Sequence, residues 1–126
     1  MDYRCVTELN ELQEYIGDAK VIAFDFETAP IDKYRDEKFA ALDAHKSVIA
    51  GVSFSVAEGT AVYVPLNHRV GDNAKNIEEI TNWLSQTVFM NDKITKVAHN
   101  LSFETMFLYA LGIIVQPPVY DTIVYH

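Results

Sequence analysis

The stretch that decides the fold is VIAFDFETAP, residues 21–30. Val21, Ile22, Ala23 and Phe24 form an unbroken apolar run, the pattern of a central strand covered by helices on each side. Asp25 and Glu27 follow, two residues apart. Residues two apart in a strand point to the same face, so both carboxylates stand side by side at the strand's C-terminal end. That is the end at which α/β sheets place their ligands. Two like charges within about 6 Å raise each other's pKa and cost free energy unless a cation neutralises them. Hard oxygen donors on a rigid strand suit Mg²⁺ or Mn²⁺, and the His and Cys partners that zinc prefers are absent nearby. The strand alone leaves a second reading open, in which Asp25 faces solvent and Glu27-Thr28 opens a turn.

Outward from this strand, the pattern predicts alternating elements. Tyr3 to Val6 reads as a strand, and a helix follows from Thr7 with Leu9, Leu12 and Ile16 on one face and Gly17 as its stop. The central strand runs from Val21 to Glu27, with Pro30 ending regular structure. Residues 32–46 are charged on both sides of a small apolar cluster and read as a solvated loop or short surface helix. Ser47 to Val56 and Thr60 to Leu66 flank the turn residues Glu58-Gly59, a hairpin signal. After the loop GDNAKN (71–76), Ile77, Ile80, Leu84 and Val88 keep a helical period. Ile94 to Ala98 reads as a buried strand, Ser102 to Leu111 as a helix stopped by Gly112, and Val119 to Tyr120 as a last strand after Pro117-Pro118. This order describes a single α/β domain built on a mixed sheet.

Composition sets outer bounds. The chain has 126 residues, 49% of them hydrophobic and 22% charged, which suits one globular domain with a real core. Cys5 is the single cysteine, so an intrachain disulfide is excluded and nothing points to secretion. No run approaches the length of a membrane span, and the expected location is the cytoplasm. The net charge of −8 argues against a large phosphate-binding surface. It does not argue against a site that holds nucleic acid through metal ions, because such a site must itself be acidic. His45, His68, His99 and His126 lack metal-site spacing and read as surface or satisfied histidines.

A second motif is KVAHNLSFETMFL, residues 96–108. Phe103, Met106, Phe107, Ala110 and Leu111 fit the apolar stripe of a helix. Glu104 falls just outside one edge of that stripe, in the first turn if Ser102 is the N-cap. A glutamate complementing the helix dipole accounts for that position well, and it is the reading the helix alone favours.

Taken together, FDFET, the hairpin ending YVPLNH, HNLSFE and YDTI resemble the proofreading 3′–5′ exonuclease domain of family A DNA polymerases. The phrasing is closest to phage-type polymerases of the DNA polymerase I kind. That domain is a DEDD exonuclease with a ribonuclease H-like fold, and the similarity runs from residue 3 to 126. The resemblance implies that Asp25, Glu27 and Glu104 are catalytic metal ligands for two Mg²⁺ or Mn²⁺ ions. It implies that Thr28, Ile31, Asn100 and Phe103 lie near the substrate, although the ring of Phe103 reads more readily as core. Asp121 matches an aspartate that supports the site or caps a helix. Glu104 stands where the family most often has aspartate. Its extra methylene moves the carboxylate by roughly 1 Å, a scale that can cost about 10²-fold in a catalytic site unless the backbone or rotamer compensates.

The family also carries a fourth carboxylate, an aspartate after a tyrosine or histidine on a late helix. No such motif follows YDTI here, so the resemblance implies a partial domain, residues 1–126, truncated before the late helices that cover one face of the sheet. The implied function is release of nucleoside 5′-monophosphates from a single-stranded DNA 3′ end, in a parent chain that also holds a polymerase domain. The fragment alone is expected to bind metal weakly and to show little activity. Three other readings stand beside this one: a catalytically silent scaffold or single-strand-binding domain, a related nuclease acting on RNA, and, more remotely, a small-molecule-binding domain, against which the absence of a Gly-rich phosphate loop counts.

Overall fold

The computed structural model describes residues 2–30, 33, 35–38, 47–68, 71–99, 101–110 and 112–122; the side chains of residues 47, 102, 103, 107 and 110 lie outside that description. Six strands form one sheet: β1 (Asp2–Cys5), β2 (Val21–Pro30), β3 (Ser47–Ser55), β4 (Thr60–Pro65), β5 (Thr95–Ala98) and β6 (Val119–Asp121). Their order across the sheet is β1-β4-β3-β2-β5-β6. β3 is antiparallel to both of its neighbours, and every other pairing is parallel. The expected mixed α/β sheet is therefore present. Most of the 32–46 segment, for which a loop or surface helix was expected, lies outside the described residues.

Three helices connect parallel strands: α1 (Leu9–Ile16), α2 (Ile77–Leu84) and α3 (Leu101–Ala110). The crossovers β1 to β2, β4 to β5 and β5 to β6 all step in the same direction along the sheet. Such crossovers are right-handed, so all three lay their helices on one face. The burial pattern agrees. Ile22, Phe24 and Phe26 of β2, Val52 and Phe54 of β3, and Val62 and Val64 of β4 are buried with Leu12, Ile16, Ile80, Leu84 and Leu108 from the helices.

The opposite face is open among the described residues. Val21 is 53% exposed, and Asp25 and Glu27 are exposed while Ala23 is half-buried. Helices are expected on both sides of β2 in the complete domain, those of one face lying in the late helices implied to be absent; among the described residues the helices pack on one face. An apolar run could not distinguish the two faces, because Val21 and Ala23 are apolar yet stand on the open side.

Local chemistry explains the element ends. α1 begins at Leu9, two residues later than expected, and the Glu11 carboxylate accepts the N–H groups of Thr7 at 3.3 Å and Glu8 at 3.2 Å. Those bonds satisfy amides that a helix N-terminus leaves open. α2 continues as a π-helical turn, Ser85–Phe89, in which Met90 N–H donates to the Ser85 carbonyl at 2.9 Å. The wider turn lets two consecutive side chains, Val88 and Phe89, both enter the core. Phe89 packs edge-on against Phe24 at 5.1 Å between ring centroids and also approaches Phe26 and Phe54. Lys96 of β5 is fully buried on the core side, and its ammonium donates to the Asn91 carbonyl at 2.6 Å, just past that turn. A cation there complements the negative end of the helix.

Candidate active site

β2 carries the two carboxylates onto the open face. Asp25 pairs with Ser53 of β3 and Glu27 with Gly51. The register then shifts, Thr28 pairing with Ile49, so Ala50 is the extra residue of a bulge. Its carbonyl accepts the N–H groups of Leu66 at 2.8 Å and Asn67 at 2.9 Å. β2 itself continues to Pro30, three residues past its expected end. Bulges of this kind bend a strand and re-aim side chains beside functional sites.

On the other side of β2, pairing with β5 ends at Phe24 and Ala98. Phe26 lies beyond that last pair, and its N–H donates to the Glu104 carboxylate, at 3.1 Å to Oε2 and 3.4 Å to Oε1. α3 supplies Glu104 from its first turn. The helix starts at Leu101, one residue before the expected start, so Ser102 lies inside it. Its first amide, Leu101 N–H, donates to Asp121 Oδ2 of β6 at 3.0 Å. Asp121 thus anchors the helix turn that carries Glu104.

Of the expected α3 stripe only Met106 can be placed and needs correction; the side chains of Phe103, Phe107 and Ala110, and Leu111, lie outside the described residues. Met106 is 41% exposed, whereas Glu104 and Leu108, one turn apart, are buried. The helix is apolar on nearly every side, so periodicity could not fix its inward face. Glu104 is 1% exposed and sits where a core residue would.

That burial sets its chemistry. Desolvation, a hydrogen bond to Asp25 and the charge of Asp25 push the Glu104 pKa up to about 8 from 4.5, with Glu27 adding to the rise and the Phe26 N–H opposing it. At neutral pH the carboxyl keeps its proton, the response expected when like charges share a dry site. The structure therefore brings Asp25, Glu27 and Glu104 into one electrostatic group. Among the described residues, no three His, Cys, Asp or Glu side chains stand in metal-ligand geometry.

Of the other expected site residues, Thr28 is half-buried just past the bulge. Ile31 and Asn100 lie outside the described residues, as does the Phe103 side chain. A shallow depression of about 300 Å³ adjoins Asp25 on the open face, floored by the small residues Ala23, Ser53, Ser55 and Ala61. Sequence reasoning gave Tyr63 no role and read His68 as a surface or satisfied histidine; the two share a 2.5 Å hydrogen bond near Glu27. The available signal was Gly51, since an isolated glycine inside a strand often marks a close approach.

The sequence matches the 3′–5′ exonuclease family of family A DNA polymerases over residues 3–126. The chain belongs to that family. This exonuclease domain is also 45% identical over 53 residues to DNA polymerase I of Pseudomonas aeruginosa, a match that covers 42% of the chain and 5% of the polymerase. Its fold is that of Trypanosoma brucei RNase D, with a TM-score of 0.70 at 16% identity, covering 96% of this chain and 38% of that one. Brucella melitensis NrnC shares it too. The structure with bound Mg²⁺ gives a TM-score of 0.59 at 23% identity over 96% of this chain and 49% of NrnC. The structure bound to pGG gives 0.60 at 22% identity over 98% and 49%. The exonuclease domain thus spans half or less of the length of these proteins. None of its described helices is long and apolar enough to cross a membrane.

Proposed function

We propose that this exonuclease domain hydrolyses the 3′-terminal phosphodiester of single-stranded DNA, as the proofreading part of a cytoplasmic DNA polymerase whose polymerase domain lies in the same parent chain. The observation that carries the reading is the convergence of Asp25 and Glu27 on a buried, protonated Glu104. Three hard oxygen donors with a surplus of negative charge fit Mg²⁺ or Mn²⁺, and the proton held by Glu104 occupies the electrostatic role that a cation would take.

Bound there, the ions would lower the pKa of a water and offset charge on the phosphate and the leaving 3′ oxygen. The chain's own contribution is positional. Asp25 and Glu27 project from a strand fixed on both edges, toward the open face. Glu104 is held by the Phe26 N–H, and its helix by Asp121. A cation held there would require Glu104 to give up its proton, so uptake would strengthen as pH rises toward 8 and compete with protons below it. Thr28 and Ile31 are assigned to the flanks of the substrate's terminal nucleotide, and Asn100 and Phe103 to positions near the substrate.

Mn²⁺ binding to the chain, followed by the loss of the free-ion electron paramagnetic resonance signal, tests the site. Asp25→Ala should abolish binding. Unchanged binding in that variant would overturn the metal reading and favour the silent-scaffold reading instead. Degradation of a 3′-labelled single strand of DNA or RNA by the full-length parent protein then decides activity and substrate.

A further inference from the structure

The open face holds a second arrangement beside the carboxylates. Tyr63 of β4 pairs through its backbone with Ser53, but its ring leans diagonally over Gly51. A Cβ at position 51 would overlap the phenol's Oη and Cζ. Gly51 is also the residue directly opposite Glu27. Glu27 therefore has a cross-strand neighbour without a side chain, and the phenol from the next strand fills that place. Direct cross-strand neighbours are the side chains that interact most closely on a sheet face. Burial and the charge of Glu27 both raise the Tyr63 pKa, with Tyr3 and Cys5 adding to the rise, which places the phenol within the carboxylate's field.

The phenol does not stand alone. Its Oη and His68 Nε2 are 2.5 Å apart, and the two rings meet edge to face at 5.5 Å. His68 is clasped in turn, its N–H donating to Asn73 Oδ1 at 2.7 Å and its carbonyl accepting from Asn73 Nδ2 at 3.2 Å. A phenol has one proton. If His68 Nε2–H donates, that proton is free to face the carboxylate. If Tyr63 donates to His68, only lone pairs remain to face a negative charge. The first arrangement is the favourable one beside Glu27.

We propose that Tyr63 is a positioning residue for Glu27: seated over Gly51 and oriented by His68 Nε2–H, it holds the Glu27 carboxylate on the Asp25 side of the sheet, where a divalent cation is taken up. The inference rests on the metal reading of Asp25, Glu27 and Glu104. Residues that orient metal ligands typically change affinity by about 10- to 100-fold when removed.

Mn²⁺ affinity of the 126-residue chain tests it. Tyr63→Phe keeps the ring and should weaken binding about tenfold. His68→Ala should weaken it similarly, and His68→Gln, which retains an N–H donor, should restore most of what alanine loses. Nitrogen-15 NMR of the unaltered chain should show His68 protonated on Nε2. Gly51→Ala displaces the phenol and should weaken binding at least as much, but Tyr63→Phe decides the matter because it preserves packing. Unaltered affinity in Tyr63→Phe, with binding lost in Asp25→Ala, overturns the proposal and leaves the metal site standing. A His68 proton on Nδ1 overturns it as well. Binding indifferent to Asp25→Ala overturns both readings together.

Discussion

Glu104 takes over from a strand at Phe26. Where β5 stops pairing, the carboxylate accepts the Phe26 N–H at 3.1 Å in the place of a backbone carbonyl. A side chain of α3 therefore caps the ladder between β2 and β5, and does so from a position 1% exposed. The bond satisfies a backbone donor that would otherwise be orphaned. It also binds the least hydrated carboxyl of the site to the strand that carries the other two.

Stability should fall as pH rises. The unfolded chain releases the Glu104 proton near 4.5, whereas the folded chain holds it to about 8. Between these values the folded state binds more protons, so this contribution is full below the lower value and lost as pH climbs through the upper one. Urea unfolding without divalent ions should show a loss on the order of 3 kcal/mol between about pH 5.5 and pH 9. Glu104→Gln should flatten that dependence and be the more stable protein at pH 9, while losing Mn²⁺ affinity. A wild-type slope retained in Glu104→Gln would contradict the assignment.

Removal of the Asp121 carboxylate should act at a distance. It accepts the first amide of α3, and loss of such a cap costs about 1 kcal/mol. Asp121→Ala should lower the thermal midpoint modestly and weaken Mn²⁺ binding through Glu104, whereas Asp121→Asn should retain much of both.

Phe89 is the packing centre of the core, touching rings from β2 and β3. Phe89→Ala should destabilise the chain by about 3–5 kcal/mol in chemical denaturation. It should leave residual Mn²⁺ affinity intact in whatever fraction stays folded.

Gly51→Ala should cost about 1–3 kcal/mol, the usual range for overpacking. The cost is assigned to one contact, so it should largely vanish in a Tyr63→Ala background. A double-mutant cycle measured by denaturation would show coupling of that size, and additive effects would remove Tyr63 from the explanation.

How far the sequence reached can be judged residue by residue. Asp25 and Glu27 were legible because a strand's period of two admits few alternatives. The strand order of elements was legible because loops and periodicities were short and distinct. Glu104 was found as a candidate but placed at the edge of a stripe. Its burial depends on β5 ending at Ala98 and leaving the Phe26 N–H open, which no local pattern encodes. Which face the described helices cover was not legible, since it follows from the direction of three crossovers rather than from any one strand. Tyr63 was given no role, and His68 only a surface or satisfied one, because their link to Glu27 runs through the absence of a side chain.

Asp121 lies on β6, a strand of three residues that is paired along one side among the described residues. Short outer strands open at free energies well below that of global unfolding. Each such opening would free the first turn of α3 and, with it, Glu104. Loss of the carboxylate cluster is then expected at a lower free energy than opening of the aromatic core. Hydrogen exchange should reveal two tiers, the Leu101 and Phe26 amides exchanging together and far ahead of those in Ile22 and Phe54.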